Sequence, residues 1–277
     1  MGFRKRFSTS AMAFLLIASC PLAADDPKPK PADAPAAAPA AKPVTFSAVL
    51  YTPETRLGRG LGFAAAYGDF TLDGPRVDTL KPLPDGARHA VIDPATKRLF
   101  ALAWPSPREV DLAKGTATPL PKPPANLPEL SHPCAVAYDT KRDHLVVATL
   151  GGKGELYAFA PKTATWTHLA GLNNADLAAL TYDPQADKLY GLFRQFGDPT
   201  TVQIRTYAPD GTPGDTFEFN DPQLAKQLQD HPVAGRYPVD LAVVGDRLAL
   251  ITPDGIYAIH LKARTIRLTW SRKAQPA

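Results

Sequence analysis

The chain carries six histidines, at positions 89, 132, 144, 168, 231 and 260, and two cysteines, Cys20 and Cys134, the residue types that most often ligate metals or act as nucleophiles. Their spacing supports neither role. No HxH or HExxH pair sets two imidazoles on one face of a strand or helix, and no CxxC is present, so no metal set can be built locally and no cofactor is expected. A calcium site assembled from distant side chains such as Asn173, Asn174, Asp176 and Asp240 leaves no trace in spacing. There is no GxSxG elbow to expose a nucleophilic serine. The run Leu57-Gly58-Arg59-Gly60-Leu61-Gly62 has the glycines of a phosphate loop but lacks its GK[ST] ending and a following helix, so it reads as a hairpin connection. Any site must therefore be assembled by the fold from separate segments.

Those segments repeat. From Val44 onward an apolar run, a polar turn opened by Asp-Pro or Asp-Thr, and a second apolar run recur at 90–102, 135–148 and 179–192, with a shortened copy at 241–251 and a degenerate one, VLYTPETRL, at 49–57. Aspartate and proline preset the turn, and the β-branched and aromatic flanks favour strands. Each copy is followed by a second hairpin, clearest in LYAFAPKTATWTHL at 156–169 and IYAIHLKARTIRL at 256–268, weaker at 70–80, 110–120 and 205–217. Two hairpins recurring about every 45 residues give five units of four strands, the plan of an all-β, five-bladed β-propeller. Two stacked β-sandwiches are the alternative, but they do not require the same pair of hairpins five times in the same order. Ring closure is expected by face packing of units one and five, without an exchanged strand. One insertion breaks the period: Asp221, Pro222, and Leu224 with Leu228 predict a short helix near 221–230, either a docking flap or an insertion packed on the ring.

The stretch GGKGELYAFAPKTATWTHL, 151–169, resembles a Kelch repeat, with its glycine pair, aromatic, Pro-Lys-Thr and Trp. By that resemblance Gly151 and Gly152 end the second strand and Trp166 packs between blades. Phe159 and Ala160 stand where Kelch repeats usually carry Tyr and Asp, and Pro133 to Asp139 resembles the blade openings of NHL and quinoprotein-like propellers. A propeller of this kind implies a ligand site where the innermost strands begin. Alignment of the units places Arg88, His89, His132, Asp176, Arg236 and Asp240 there, a mixed-charge mouth, although polar residues are ordinary at strand starts. The charges at the opposite turns, including Lys97, Arg98, Lys141, Arg142, Asp187 and Lys188, read as solvated hairpin tips. Cys134, in an apolar run with no intrachain partner expected, reads as a small core residue.

The chain opens on a basic start, an apolar stretch from Ala11 to Ala18 and small residues, the three parts of a secretory signal over 1–24. Two endings compete. Ile17-Ala18-Ser19-Cys20 resembles a lipobox, with Cys20 as the lipidated terminus; Leu22 and Ala24 suit ordinary cleavage after Ala24. Residues 25–43, rich in Pro, Ala and Lys, form an extended tether that cannot build a core, and 44–277 holds the propeller. Without Arg4, Lys5 and Arg6 the formal charge of +4 falls to +1, which removes the electrostatic case for nucleic acid. The expected product is an exported, monomeric module of the cell envelope, touching the membrane only through a lipid on Cys20, that binds a protein, peptide or glycan without catalysis. The competing class is a propeller enzyme of lactonase, glycosidase or lyase type, which needs carboxylates, or carboxylates with His, converging in one channel.

Overall fold

The computed structural model describes residues 44–57, 60–83, 87–103, 106–128, 130, 132–149, 154–172, 176–193, 200–229 and 239–274. The expectations placed on 1–43, with Cys20, and on Gly151, Gly152, Asn173, Asn174 and Arg236 lie outside them.

Five four-stranded antiparallel sheets make the fold. The first blade holds β1 (Phe46–Leu57), β2 (Gly60–Thr71), β3 (Gly74–Pro75) and β4 (Lys81–Pro82); the second β5 (Ala87–Ile92), β6 (Leu99–Ala103), β7 (Pro107–Asp111) and β8 (Thr116–Pro119); the third β9 (Pro133–Asp139), β10 (His144–Thr149), β11 (Glu155–Ala160) and β12 (Thr165–Gly171). The fourth holds β13 (Leu177–Asp183), β14 (Lys188–Phe193), β15 (Thr201–Tyr207) and β16 (Pro213–Asn220), and the fifth β17 (Asp240–Val244), β18 (Arg247–Ile251), β19 (Gly255–His260) and β20 (Thr265–Ser271). The first strand of each blade neighbours the first strands on either side, β1 lying against β17 and β5, so the five form a closed inner ring. Every blade is a continuous piece of chain. The last sheet contains β17 to β20 alone, so the seam closes without an exchanged strand.

The hairpins follow from their turns. The carboxylates of Asp93, Asp139 and Asp183 accept backbone N–H groups two or three residues on, from Ala95, from Lys141 and Arg142, and from Gln185 and Ala186. That bond holds the chain in the turn before a strand ladder can compete. The fifth residue of each turn, Lys97, Asp143 or Asp187, sits in the left-handed region, with φ of 61°, 58° and 53°. Outer hairpins use the same bend at Gly115, Ala164 and Arg264.

The first blade departs from expectation. Thr52, Pro53 and Glu54, read from sequence as a hairpin tip, lie inside β1, where Pro53 pairs with Phe63 and Glu54 with Gly62. The hairpin turns later, between Leu57 and Gly60. β3 and β4 both pair with β2, so this blade has a broken third strand in place of a second full hairpin. β1 also runs the other way. Its Val49 N–H reaches Asp240 at the start of β17, and its Tyr51 carbonyl accepts from Arg272, just past the end of β20. Thr45 and Ser47, meanwhile, stand with Pro94, Thr140, Pro184 and Gly245, at the end where the other inner strands finish.

There is no single core. Each pair of neighbouring blades buries its own apolar layer, five in all, including the seam, where Phe46, Ala48, Leu50 and Phe70 meet Ala242, Val244, Ile251 and Ile256. Inner strands are buried on both faces, which is why 134–138 and 145–148 read as unbroken apolar runs. Cys134 is buried, as expected. The helix α1 (Pro222–Gln229) is capped by Asp221, whose Oδ1 accepts the Leu224 N–H at 2.9 Å. Leu224, Ala225 and Leu228 bury its apolar side in the layer between the fourth and fifth blades. α1 therefore packs on the ring, and the apolar residues that a docking flap would offer are already covered.

Candidate functional site

Apart from the reversed β1, the inner strands begin at one end of the ring and finish at the other, and the two ends differ. At the starting end, Asp240 is 5 % exposed and holds the seam: Oδ2 accepts the Val49 N–H at 2.8 Å and Oδ1 the Leu241 N–H at 2.9 Å. Removal from water pushes its carboxyl up to about 7, against the lowering effect of those two bonds. His89 is half-buried, adopts a φ of 39°, and donates its backbone N–H to the Tyr51 hydroxyl at 3.1 Å. Its ring meets Tyr51 edge-on, with centroids 6.1 Å apart. His132 is exposed with a φ of 50°, and Asp176 is half-buried. Arg88 lies in β5, and nothing of its side chain is described.

The finishing end opens into a cavity of about 460 Å³. Three inner strands offer only their last residues to it: Ala90 to Ile92, Ala137 with Tyr138, and Thr181 to Asp183. β17 lines it from its first residue onward, so Asp240 forms its inner end while Gly245 stands at the rim. Thr45, Phe46, Ser47 and Tyr67 complete the wall because β1 is reversed. Of the residues named from sequence, Asp240 belongs to this lining; His89, His132 and Asp176 do not. Among the described residues no cluster of His, Cys, Asp or Glu could hold a metal ion.

The lining holds hydroxyl residues (Thr45, Ser47, Tyr67, Tyr138, Thr140, Thr181, Tyr182), one amide (Gln185) and two carboxyls (Asp183 and Asp240) over walls of Ala, Val, Leu and Ile. Among the described residues it contains no Lys, Arg or His. Burial raises the Tyr67 phenol far above its usual range, so it stays a neutral donor beside Ser47. Ser47 in turn donates to Asp69 at 2.9 Å.

Around the rim most charge is already matched. Arg142 reaches Asp187 of the next blade through both terminal nitrogens, at 2.8 and 3.0 Å, and Asp139 of its own at 2.9 Å. Together with the Tyr182 hydroxyl, it holds the Asp187 carboxyl well below the usual range. Lys162 pairs with Asp143, which also accepts from Tyr138. Arg142 and Asp187, read from sequence as solvated tips, thus form a strut between the third and fourth blades. Asp183, Gln185, Tyr67 and Ser47 were not marked by sequence. Their only signal was the recurring first-turn aspartate, which looks purely structural in each copy.

No family model and no curated protein matches the chain. Among solved structures it is similar to a chain of the nidogen/laminin complex, at 13 % identity and a TM-score of 0.48 over 81 % of this chain and 97 % of that one. A gluconolactonase from Xanthomonas campestris gives 16 % and 0.48 over 74 % and 71 %, and TolB from Acinetobacter baumannii 14 % and 0.45 over 81 % and 52 %. Likenesses at this distance transfer no residue role, and the functional reading rests on the cavity itself.

Proposed function

We propose that the protein is an exported binding module whose ligand enters the cavity at the finishing end of the inner strands. One observation carries this reading. Asp240, the one deeply buried carboxyl among the described lining residues, accepts a backbone N–H at each oxygen, one of them across the seam. Acid–base work on a glycoside or lactone needs a carboxyl free to move a proton, set against a second carboxyl or a histidine. Among the described residues the lining has no histidine, and its second carboxyl, Asp183, stands at the partly exposed rim. Hydroxyls, one amide and apolar walls suit recognition, in which a few placed polar groups orient a ligand held largely by apolar contact. Export rests on the signal-like residues 1–24, and the Pro/Ala tether at 25–43 would hold the ring away from a membrane or wall.

The test is a ligand-observed NMR screen of the full exported chain with neutral, anionic and cationic compounds, repeated on Thr140→Trp, which places a large side chain at the exposed rim. Ligands of the cavity should be lost in that variant. Binding that T140W leaves untouched overturns the placement, and turnover of added lactones or glycosides that disappears in Asp183→Asn moves the protein to the enzyme class.

A further inference from the structure

We infer that the cavity takes a cationic group, a primary alkylammonium, which Asp183 attracts at the rim and Asp240 pairs with at the inner end. This deepens the binding reading and rests on it. Three observations converge. Among the described residues the lining carries two carboxyls and no Lys, Arg or His, so an anionic ligand would meet repulsion that none of them offsets. The neighbouring rim carboxylates already have cationic partners, Asp139 and Asp187 sharing Arg142 and Asp143 pairing with Lys162. Asp183 is the exception: its Oδ1 accepts the Gln185 and Ala186 N–H groups, and it has no cationic partner among the described residues.

Asp240 supplies the third. Each of its oxygens accepts one backbone N–H and keeps a second lone pair, and a buried carboxylate without a counter-charge is costly to hold. An ammonium offers three donors and a charge that none of the described residues supplies to Asp240, while the apolar walls, among them Val91, Leu241 and Ala242, cover its methylene stem. The reading also predicts a pH dependence. The groups facing Asp240 are Ser47 and the Val49 N–H from β1 and Tyr67 from β2, with Asp69 beyond Ser47; Asp183 and Tyr182 belong to the β13 side of the cavity. None of them is a lysine, arginine or histidine. Below about pH 7 the carboxyl of Asp240 holds a proton that an ammonium must displace, so affinity should fall with acid.

The same ammonium could arrive on a free diamine or on a lysine side chain, and the probes separate these. Cadaverine and Nα-acetyl-lysine amide are titrated against the full chain by calorimetry at pH 8.0 and pH 5.5, with 1-pentanol, glucose and Nα,Nε-diacetyl-lysine amide as neutral controls. At least one amine should bind at pH 8.0, at least tenfold more weakly at pH 5.5 and in Asp183→Asn, with no binding of its neutral analogue. Preference for the lysine amide points to a peptide ligand, and preference for cadaverine to a free amine. Absence of amine binding, equal binding of the neutral analogue, or an affinity that neither pH nor D183N alters overturns the inference. Asp240→Asn is measured alongside, and D183N, at the partly exposed rim, carries the test if D240N does not fold. If glucose binds and the amines do not, this inference falls while the binding reading stands.

Discussion

The indole Nε1 of Trp166 donates to the carbonyl of Pro121 at 2.7 Å, tying the outer strand of the third blade to the segment that leaves the second. The ring packs on Phe159 at 4.9 Å and meets Tyr157 edge-on, within the layer shared with Phe100 and Leu102 of the second blade.

Trp166→Ala removes a 93 % buried indole and leaves the Pro121 carbonyl without its donor. A loss of about 3 to 5 kcal/mol in a denaturant melt is expected. Trp166→Phe keeps most of the packing and should lose about 1 kcal/mol.

Asp240 gives a pH signature of stability. Its carboxyl titrates near 7 in the fold and near 3.9 in the unfolded chain, so between those values the native state holds a proton that the unfolded chain has released. Stability contributed by this group is present at low pH, falls by about 4 kcal/mol as pH rises from 4 to 7, and is flat above. Urea melts of the wild type and Asp240→Asn at pH 4, 5.5 and 7 should differ in slope by that amount. Parallel slopes would mean that Asp240 is ionised throughout.

The helix α1 should behave as part of the ring. Leu224→Ala, at a side chain 1 % exposed, is expected to cost about 2 to 4 kcal/mol, and Asp221→Ala about 1 kcal/mol through loss of the cap. A near-zero change in both would return α1 to the role of a detachable flap.

The mature terminus separates the two endings of the signal-like segment. Intact-mass analysis of protein from the native host should find either a diacylglyceryl Cys20 or Asp25 as first residue. Recovery of Met1 would remove the export reading.

The blades were legible because their turns are chemically marked. Asp93, Asp139 and Asp183 announce the same bend through the same side-chain bond, and the apolar runs they separate are buried on both faces. The first blade was not, because Thr52-Pro53-Glu54 has turn composition yet lies in a strand that pairs along most of its length with β2. Local preference yielded there to a long ladder. Asp240 was picked out as a polar strand start, and the structure adds what spacing could not: one of its oxygens bonds β1 across the seam. Asp183 was passed over because a turn-forming aspartate and a ligand-facing one look the same in sequence. Which end of the ring opens depends on side chains from five separated segments, and no local period encodes that.

The seam also shapes how the molecule can assemble. Each blade is completed by strands adjacent in the chain, so its pairing needs only short loop closures, which are fast. Joining Val49 to Asp240 spans 191 residues and must await all five blades. Assembly should therefore end in one slow, long-range docking step, and a chain stopped short of β17 would present Phe46, Ala48, Leu50 and Phe70 as an open apolar face, a surface for which a chaperone is the natural interim partner.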